Sequence, residues 1–245
     1  MLLTTVDLLC SVIFVITLHQ WAVTNKLLSR PLLFVAGNLV FLGGMLPWFD
    51  AVARYSVWLH SAQSVMVHHL APLLWICGLR HHAMRSESNS IAASHWPVTL
   101  LMSSFAILTW IWMLPALHPL FMQSAMLYSV MKWLMALSGI ALCLTVIRQH
   151  HQANYWQKLN LVTVIMPLLI WGVLMFVFPA MYSATHSHAH HHHHMMMSNV
   201  PDWLQLSSVA DQYLGGFIFI LAGLTYWQAG TSGIKLTRHR RRFAE

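Results

Sequence analysis

Long apolar stretches dominate this chain and limit the folds that it can adopt. A helix needs about 20 mostly apolar residues to cross the hydrocarbon core of a bilayer. Only 8% of the residues are charged, against about 25% in soluble domains, and the alternating pattern of membrane strands is absent. The sequence therefore predicts an all-α integral membrane protein, a seven-transmembrane-helix bundle, with spans near 5 to 24, 31 to 49, 55 to 79, 96 to 114, 120 to 147, 158 to 179 and 211 to 230.

Basic residues mark one side of the predicted bundle. They occupy every second connection and follow the last span, at Lys26, Arg30, Arg80, Arg85, Arg148, Lys158, Lys235, Arg238, Arg240, Arg241 and Arg242, whereas the opposite side has only Arg54. Cytoplasmic loops are enriched in Lys and Arg. We therefore expect a multi-pass protein with the N-terminus outside and the C-terminus in the cytoplasm. The net charge of +7 then indicates topology, with the lipid bilayer and not nucleic acid as the partner.

One transmembrane domain is predicted over 1–245, with a His/Met-rich extracytoplasmic loop at 183–202 and a basic cytoplasmic tail at 235–245. The loop sets seven imidazoles beside three thioethers, at His186, His188, His190, His191, His192, His193, His194, Met195, Met196 and Met197. Imidazole suits copper and zinc, whereas thioether sulfur favours Cu(I). The composition thus points to copper. There are two alternatives. The tract could be a purification tag, although a tag normally lies at a terminus and this tract is internal, or a low-complexity loop without a cellular task.

Further copper-compatible side chains fall near the outward ends of the predicted spans. They are Met45, His60, Met113, His118, Met122 and Met181, and together with the loop they could form one site. Methionine also fills gaps in apolar helices, so the two histidines are the better candidates. A polar ring near a helix end must reach water or find a partner.

The third span carries histidines at greater depth. His60, Ser64 and His68 are four residues apart and so share one helix face, and His69 neighbours that face. Ionisable groups near the bilayer middle are costly and usually functional. A ligand relay for a metal ion and axial ligation of haem both fit this pattern. Haem is not favoured, because no facing histidine at similar depth is found, and a hydrogen-bonded structural role stays open.

Lys132 is the basic residue that we place at membrane depth, where it should face the bundle or extend towards the surface. Asp211, at the start of the seventh predicted span, is a candidate charge partner or an outer-surface metal ligand. No carboxylate pair is expected in mid-membrane, which disfavours a divalent-cation transporter. No nucleotide-binding loop, nucleophile motif or general acid/base pair is found, so an enzyme is not predicted.

Three segments resemble one family of membrane proteins. Asp211 to Gly216 (DQYLGG) resembles the Asp-Gln-x-x-(Ala/Gly)-Gly signature of the CtaG-type cytochrome c oxidase assembly factors. Trp112 to Leu117 (WMLPAL) resembles that family's Trp-His-Leu-Pro-Ala-Leu segment, and Ala71 to Gly78 (APLLWICG) resembles its Ala-Pro-Pro-Leu-Leu-x-x-Gly run. Counting back from that run places His60 on the first histidine of the family's His-x-x-x-His pair. The resemblance implies a factor of the bacterial cytoplasmic (inner) membrane that helps to metallate or assemble a haem-copper oxidase, with oxidase subunits as partners.

The chain departs from the family pattern at three positions. Ser64 stands where the second histidine of the pair is expected, Met113 replaces the histidine of the Trp-His-Leu-Pro segment, and a fifth-span histidine falls on Lys132. An alternative register would retain the second histidine at His69 and lose the first. Met113 remains copper-compatible, whereas Lys132 does not.

The leading hypothesis is a non-enzymatic, copper-binding assembly factor for a haem-copper cytochrome c oxidase, in which the loop collects copper and the helix-end residues pass it on. A copper transporter of the cytoplasmic membrane is the second hypothesis and a membrane haem protein the third. A homodimer is left open.

Overall fold

The computed structural model describes residues 2–79, 96–148, 159–178, 181–182 and 206–242. Within these ranges the chain is all-helical. The α-helices are α1 (Leu2–Thr24), α2 (Pro31–Met45), α3 (Pro47–Ala53), α4 (Val57–Ser64), α5 (Ala71–Gly78), α6 (Trp96–Met113), α7 (His118–Gln123), α8 (Ala125–Arg148), α9 (Met166–Val177) and α10 (Ser208–Arg242). Two π-helical turns, Val65–Leu70 and Leu161–Ile165, lead directly into α5 and α9.

Helices of membrane-spanning length and apolarity are present, as the sequence predicts. Three helical segments in the described residues are long and apolar enough to cross a membrane, over Thr5–Thr24, Ala125–Leu142 and Ser208–Gln228. The bent pair α2 and α3 makes a fourth if it is counted as one broken span. The other predicted spans coincide with shorter helices. The apolar helices thus identify a membrane protein, while seven crossings and their orientation stay predictions.

The second predicted span is not one straight helix. α2 and α3 are bent by 57° at Leu46, whose extended backbone (φ −62°, ψ 132°) separates them. Proline disfavours a helical conformation in the residue before it and has no N–H to donate. Pro47 therefore ends α2 and starts α3 in a new direction.

Both π-helical turns precede a proline. Pro72 lies at the second position of α5, and Pro167 at the second position of α9. Because a proline ring displaces the carbonyl four residues before it and forms no hydrogen bond to it, a widened turn accommodates the ring without ending the helix. The third predicted span thus continues through α4, the π-helical turn and α5, with its side chains shifted from a regular helical register.

Buried side chains form three apolar clusters. The largest joins the end of α3 and the beginnings of α4 and α8 to the end of α6, to α7 and α9, to Tyr182 and to part of α10. We call it the His60 cluster, because His60 stacks on its Trp112. A second cluster joins α1, α2 and α5, and a third lies between α6 and α8. At Gly139 in α8, a Cβ would collide with the carbonyl oxygen of His68, so this helix contact requires glycine.

Candidate functional site

Two histidines meet inside the His60 cluster. The His60 and His118 rings are 5.0 Å apart between centroids and nearly perpendicular, and both side chains are buried. The indole of Trp112 stacks on His60 at 4.5 Å. Two of the helix-end residues that the sequence singled out, one from α4 and one from α7, are therefore brought together.

Asp211 sets the position of His60. Its carboxylate accepts hydrogen bonds from the Ser56 hydroxyl (2.7 Å) and from the backbone N–H groups of Val57 (2.8 Å) and Trp58 (3.0 Å). The first N–H groups of a helix have no partner within the helix, and a carboxylate there also interacts favourably with the helix dipole. Asp211 therefore caps α4 from α10. The carboxylate partners of Lys132 are Asp7 and Asp50, and the roles of Asp211 as a charge partner or a metal ligand stay predictions.

Gln212 makes the corresponding contact at the end of α9. Its amide nitrogen donates to the carbonyl oxygens of Met175 and Phe178, each at 2.7 Å. These carbonyls belong to the last turn of a helix, where acceptors lack intrahelical donors. The adjacent aspartate and glutamine thus tie the start of α10 to the start of α4 and to the end of α9.

Tyr182 holds the other side of the site. Its hydroxyl donates to the backbone carbonyl of Met113 at 2.6 Å, and its ring contacts that of His118 at 4.8 Å. Burial raises the pKa of the Tyr182 hydroxyl above its ordinary value, so the group stays protonated and continues to donate. Tyr182 was not predicted as a site residue, because it follows the sixth apolar stretch and no metal-ligand pattern marks it.

The His60 cluster is rich in methionine. Met113, Met122, Met131, Met135 and Met175 are buried in the His60 cluster, and Met181 packs against it. Met45, which was predicted to join the same site, lies instead in the cluster of α1, α2 and α5. α2 and α3 diverge at Pro47, and this end of α2 packs against the π-helical turn at Val67.

His68 and His69 form a separate pair. Their ring centroids are 4.6 Å apart, and Phe105 stacks on His68 at 3.9 Å. His68 Nε2 lies 3.1 Å from the Ser138 hydroxyl. Neither ring nitrogen of His69 forms a hydrogen bond with any part of the chain that the structure describes. A ligand relay through this pair and haem ligation stay predictions.

Lys132 is buried between two carboxylates. Its Nζ lies 2.8 Å from Asp7 Oδ2 and 2.7 Å from Asp50 Oδ2, and the Trp133 indole also donates to Asp7. The prediction that Lys132 faces the bundle is confirmed. Two acids, one from α1 and one from α3, therefore converge on one lysine within the bundle, while the absence of a carboxylate pair in mid-membrane stays a prediction. Each acid lies near the end of a different apolar stretch, and only the tertiary fold brings them together.

The His/Met-rich residues 186–197 lie outside the described residues. Across the described ranges, no group of three or more His, Cys, Asp or Glu side chains is placed to hold a metal ion. The donors that the structure does bring together in the His60 cluster are two imidazoles and the thioethers of its methionines.

The fold and the site together define a helical membrane protein with a buried polar site between helix ends. Residues 12–227 match the family described as cytochrome c oxidase caa3 assembly factor (Caa3_CtaG). This match covers most of the chain, so the chain belongs to that family, and the resemblance seen in the sequence is confirmed. Assembly of cytochrome c oxidase implies association with oxidase subunits. No curated protein and no solved structure matches the chain.

Proposed function

We propose that this protein binds copper in the His60 cluster and helps to deliver it to a haem-copper cytochrome c oxidase during assembly. The observation that carries the proposal is the meeting of His60 and His118, 5.0 Å apart, inside a cluster that also buries five methionines. Imidazole and thioether donors together favour Cu(I) over zinc. Family membership supplies the oxidase as the destination.

The location of the site supports transfer to a partner. His60 lies in the first turn of the helical segment that begins at Val57, and His118 is the first residue of α7. On the predicted topology these helix starts lie on the extracytoplasmic side of the bacterial cytoplasmic membrane. Residues 186–197 join the last two predicted spans on that same side, where their imidazoles and thioethers would collect scarce copper for the helix-end site. The copper is cargo in this proposal, and no catalytic step is part of it.

The first test is titration with Cu(I) under reducing conditions, using purified protein in lipid nanodiscs. A histidine pair that shares one ion loses most of its affinity when either ligand is removed, so His60→Ala and His118→Ala should each weaken Cu(I) binding by about 10-fold or more. A contribution of about 1.4 kcal/mol already corresponds to that factor. His19→Ala, which removes an imidazole packed on Phe34 in another cluster, is the matched control and should bind like the unaltered protein.

The same variants test the link to the oxidase. Cells that carry His60→Ala should contain oxidase with less copper and lower activity than cells that carry His19→Ala. Unchanged oxidase copper in the His60→Ala and His118→Ala strains would contradict the proposal, as would a preference for Zn²⁺ in the titration. Copper accumulation inside proteoliposomes that contain the purified protein would instead favour the copper transporter.

A further inference from the structure

A continuous series of hydrogen bonds leads from Asp50 to His60. The Gln63 side-chain nitrogen donates to Asp50 Oδ1 at 2.5 Å and to the carbonyl oxygen of Gly44 at 2.6 Å. The Tyr128 hydroxyl donates to Gln63 Oε1. His60 Nδ1 lies 3.3 Å from the Tyr128 hydroxyl oxygen. Each group in this series is buried or nearly so. Because little water can supply a missing donor or acceptor, each group must donate to an acceptor or accept from a donor within the series.

Two acceptors, the Gly44 carbonyl and the Asp50 carboxylate, fix the orientation of the Gln63 amide. A backbone carbonyl can accept a hydrogen bond but cannot donate one, so the carbonyl of Gly44 requires the amide nitrogen of Gln63 on its side. The Asp50 carboxylate, held by Lys132 through both oxygens at 2.9 and 2.7 Å, requires the same orientation. The amide oxygen therefore faces Tyr128 as an acceptor.

The orientation of the Gln63 amide in turn fixes the direction in which the Tyr128 hydroxyl donates its proton. A phenol has one proton to donate, and that proton points to Gln63 Oε1. Towards His60 the hydroxyl oxygen presents only lone pairs. A lone pair on His60 Nδ1 would face them without a proton between the two atoms.

We infer that His60 is held as the tautomer with its proton on Nδ1, so that Nε2 carries a free lone pair. In a neutral imidazole one nitrogen is a donor and the other an acceptor, and the hydrogen bond of one determines the role of the other. Nε2 is buried and makes no hydrogen bond within the described part of the chain. The backbone carbonyl of Trp112 interacts with this ring, but Nε2 forms no hydrogen bond to it.

This tautomer gives the buried Nε2 a chemical use. A buried polar atom without a partner costs free energy, and a lone pair in that position suits a soft metal cation such as Cu(I). Metal-binding histidines commonly donate from their other nitrogen to an oriented acceptor, which fixes the ring and increases its basicity. Tyr128, Gln63 and Asp50 are then positioning residues. Their use in copper binding rests on the function proposed above, whereas the tautomer does not.

The tautomer is measured without metal. In ¹⁵N-histidine-labelled protein, the His60 signals are identified as those that the His60→Ala variant lacks. Two-bond nitrogen–proton correlations then distinguish the two ring nitrogens. We expect a protonated, pyrrole-type Nδ1 and a pyridine-type Nε2. The opposite assignment overturns the inference, whether or not the protein binds copper.

Two variants test the positioning residues, and a third variant serves as the control. Gln63→Met releases the Tyr128 proton, which can then be donated to Nδ1, so the His60 proton should move to Nε2. Tyr128→Phe removes the acceptor and should give a mixture of tautomers. Loss of such supporting contacts weakens metal binding by about 10- to 100-fold, and we expect Cu(I) affinity to fall in that range. Tyr182→Phe removes a hydroxyl from the same cluster without contact to Nδ1 and should leave the tautomer unchanged.

These results separate the inference from the proposed function. A tautomer that is unaffected by both Gln63→Met and Tyr128→Phe overturns the role of the series. The expected tautomer in a protein that does not bind Cu(I) supports the inference and contradicts the proposed copper site. If neither variant folds, the unaltered protein still decides the tautomer.

Discussion

Lys132 illustrates how a single charged side chain can be held within the bundle. Its ammonium group contacts Asp7 at 2.8 Å and Asp50 at 2.7 Å, and only 2% of its side chain is exposed. Taking charges out of water is expensive, and their mutual attraction repays that cost only when the geometry is good. Removal of one charge therefore destabilises the fold by more than the intact ion pair stabilises it.

The substitution Lys132→Met keeps the length of the side chain and removes its charge. It leaves two carboxylates together without a counter-charge, and loss of one member of a buried ion pair costs about 3–5 kcal/mol. Because Asp50 is partly exposed, we expect about 3 kcal/mol less stability. Reversible unfolding in mixed micelles measures the difference. Adding Asp50→Asn to Lys132→Met should recover part of the loss, because the two sites share one interaction.

An exposed lysine provides the control for that prediction. Lys26 lies in the exposed connection between α1 and α2, and substitutions at exposed sites usually change stability by less than about 0.5 kcal/mol. Lys26→Met should therefore unfold like the unaltered protein. Equal losses for Lys26→Met and Lys132→Met would show that the charge pairing contributes nothing specific.

Among the elements, α4 depends most directly on a residue from another helix. Asp211 in α10 accepts three hydrogen bonds at the start of α4, and this contact orients the segment that carries His60. Loss of a capping side chain costs up to about 2 kcal/mol. The effect should be local, because it concerns the first turn of one helix.

We expect Asp211→Ala to increase amide hydrogen exchange at Val57 and Trp58 and to weaken Cu(I) binding at the adjacent His60. Asp211→Asn keeps one acceptor oxygen and should have a smaller effect on both. Ser124→Ala is the control, since Ser124 caps α8 by accepting from the Leu127 N–H and should leave exchange in α4 unchanged. Protection of Val57 and Trp58 that survives Asp211→Ala would exclude the cap as the reason for the position of α4.

The positions of the helices were predictable because apolar stretches of sufficient length are visible in the sequence. The bend at Pro47 and the π-helical turns before Pro72 and Pro167 were not predicted, although proline signals such departures. His60 and His118 were recognised because a polar ring near a helix end needs a partner. Gln63 and Tyr128 were missed, since ordinary polar residues within a span acquire significance only when their hydrogen bonds are known.

For the whole molecule, the proposed function gives the copper site and the predicted His/Met-rich loop separable roles. The helix-end residues are fixed by packing between several helices, whereas the predicted loop would contribute donors by its composition. The sequence predicted both, but the ligand geometry depends on contacts between distant segments. That dependence is why His60 and His118 could be predicted from the sequence, whereas their arrangement and the contacts of Gln63, Tyr128 and Tyr182 could not.

Deletion of 186–197 should lower oxidase copper content when copper is scarce and have little effect when copper is abundant, because the helix-end site remains. Metal analysis of the oxidase from cells grown at low and high copper measures this difference. His60→Ala should lower the copper content under both conditions. An equal loss at both copper levels for the deletion would indicate that the loop itself is the working site.

The ion pairs of Lys132 also bear on biosynthesis. Asp50 precedes Lys132 by 82 residues, and Asp7 precedes it by 125. Burial of an ionised carboxylate without a partner is costly, and both side chains are largely buried in the folded bundle. The first two apolar segments therefore leave the ribosome with acidic groups whose cation has not yet been made. Asp7 and Asp50 can form their ion pairs only after α8, the fifth apolar segment, has been synthesised and inserted.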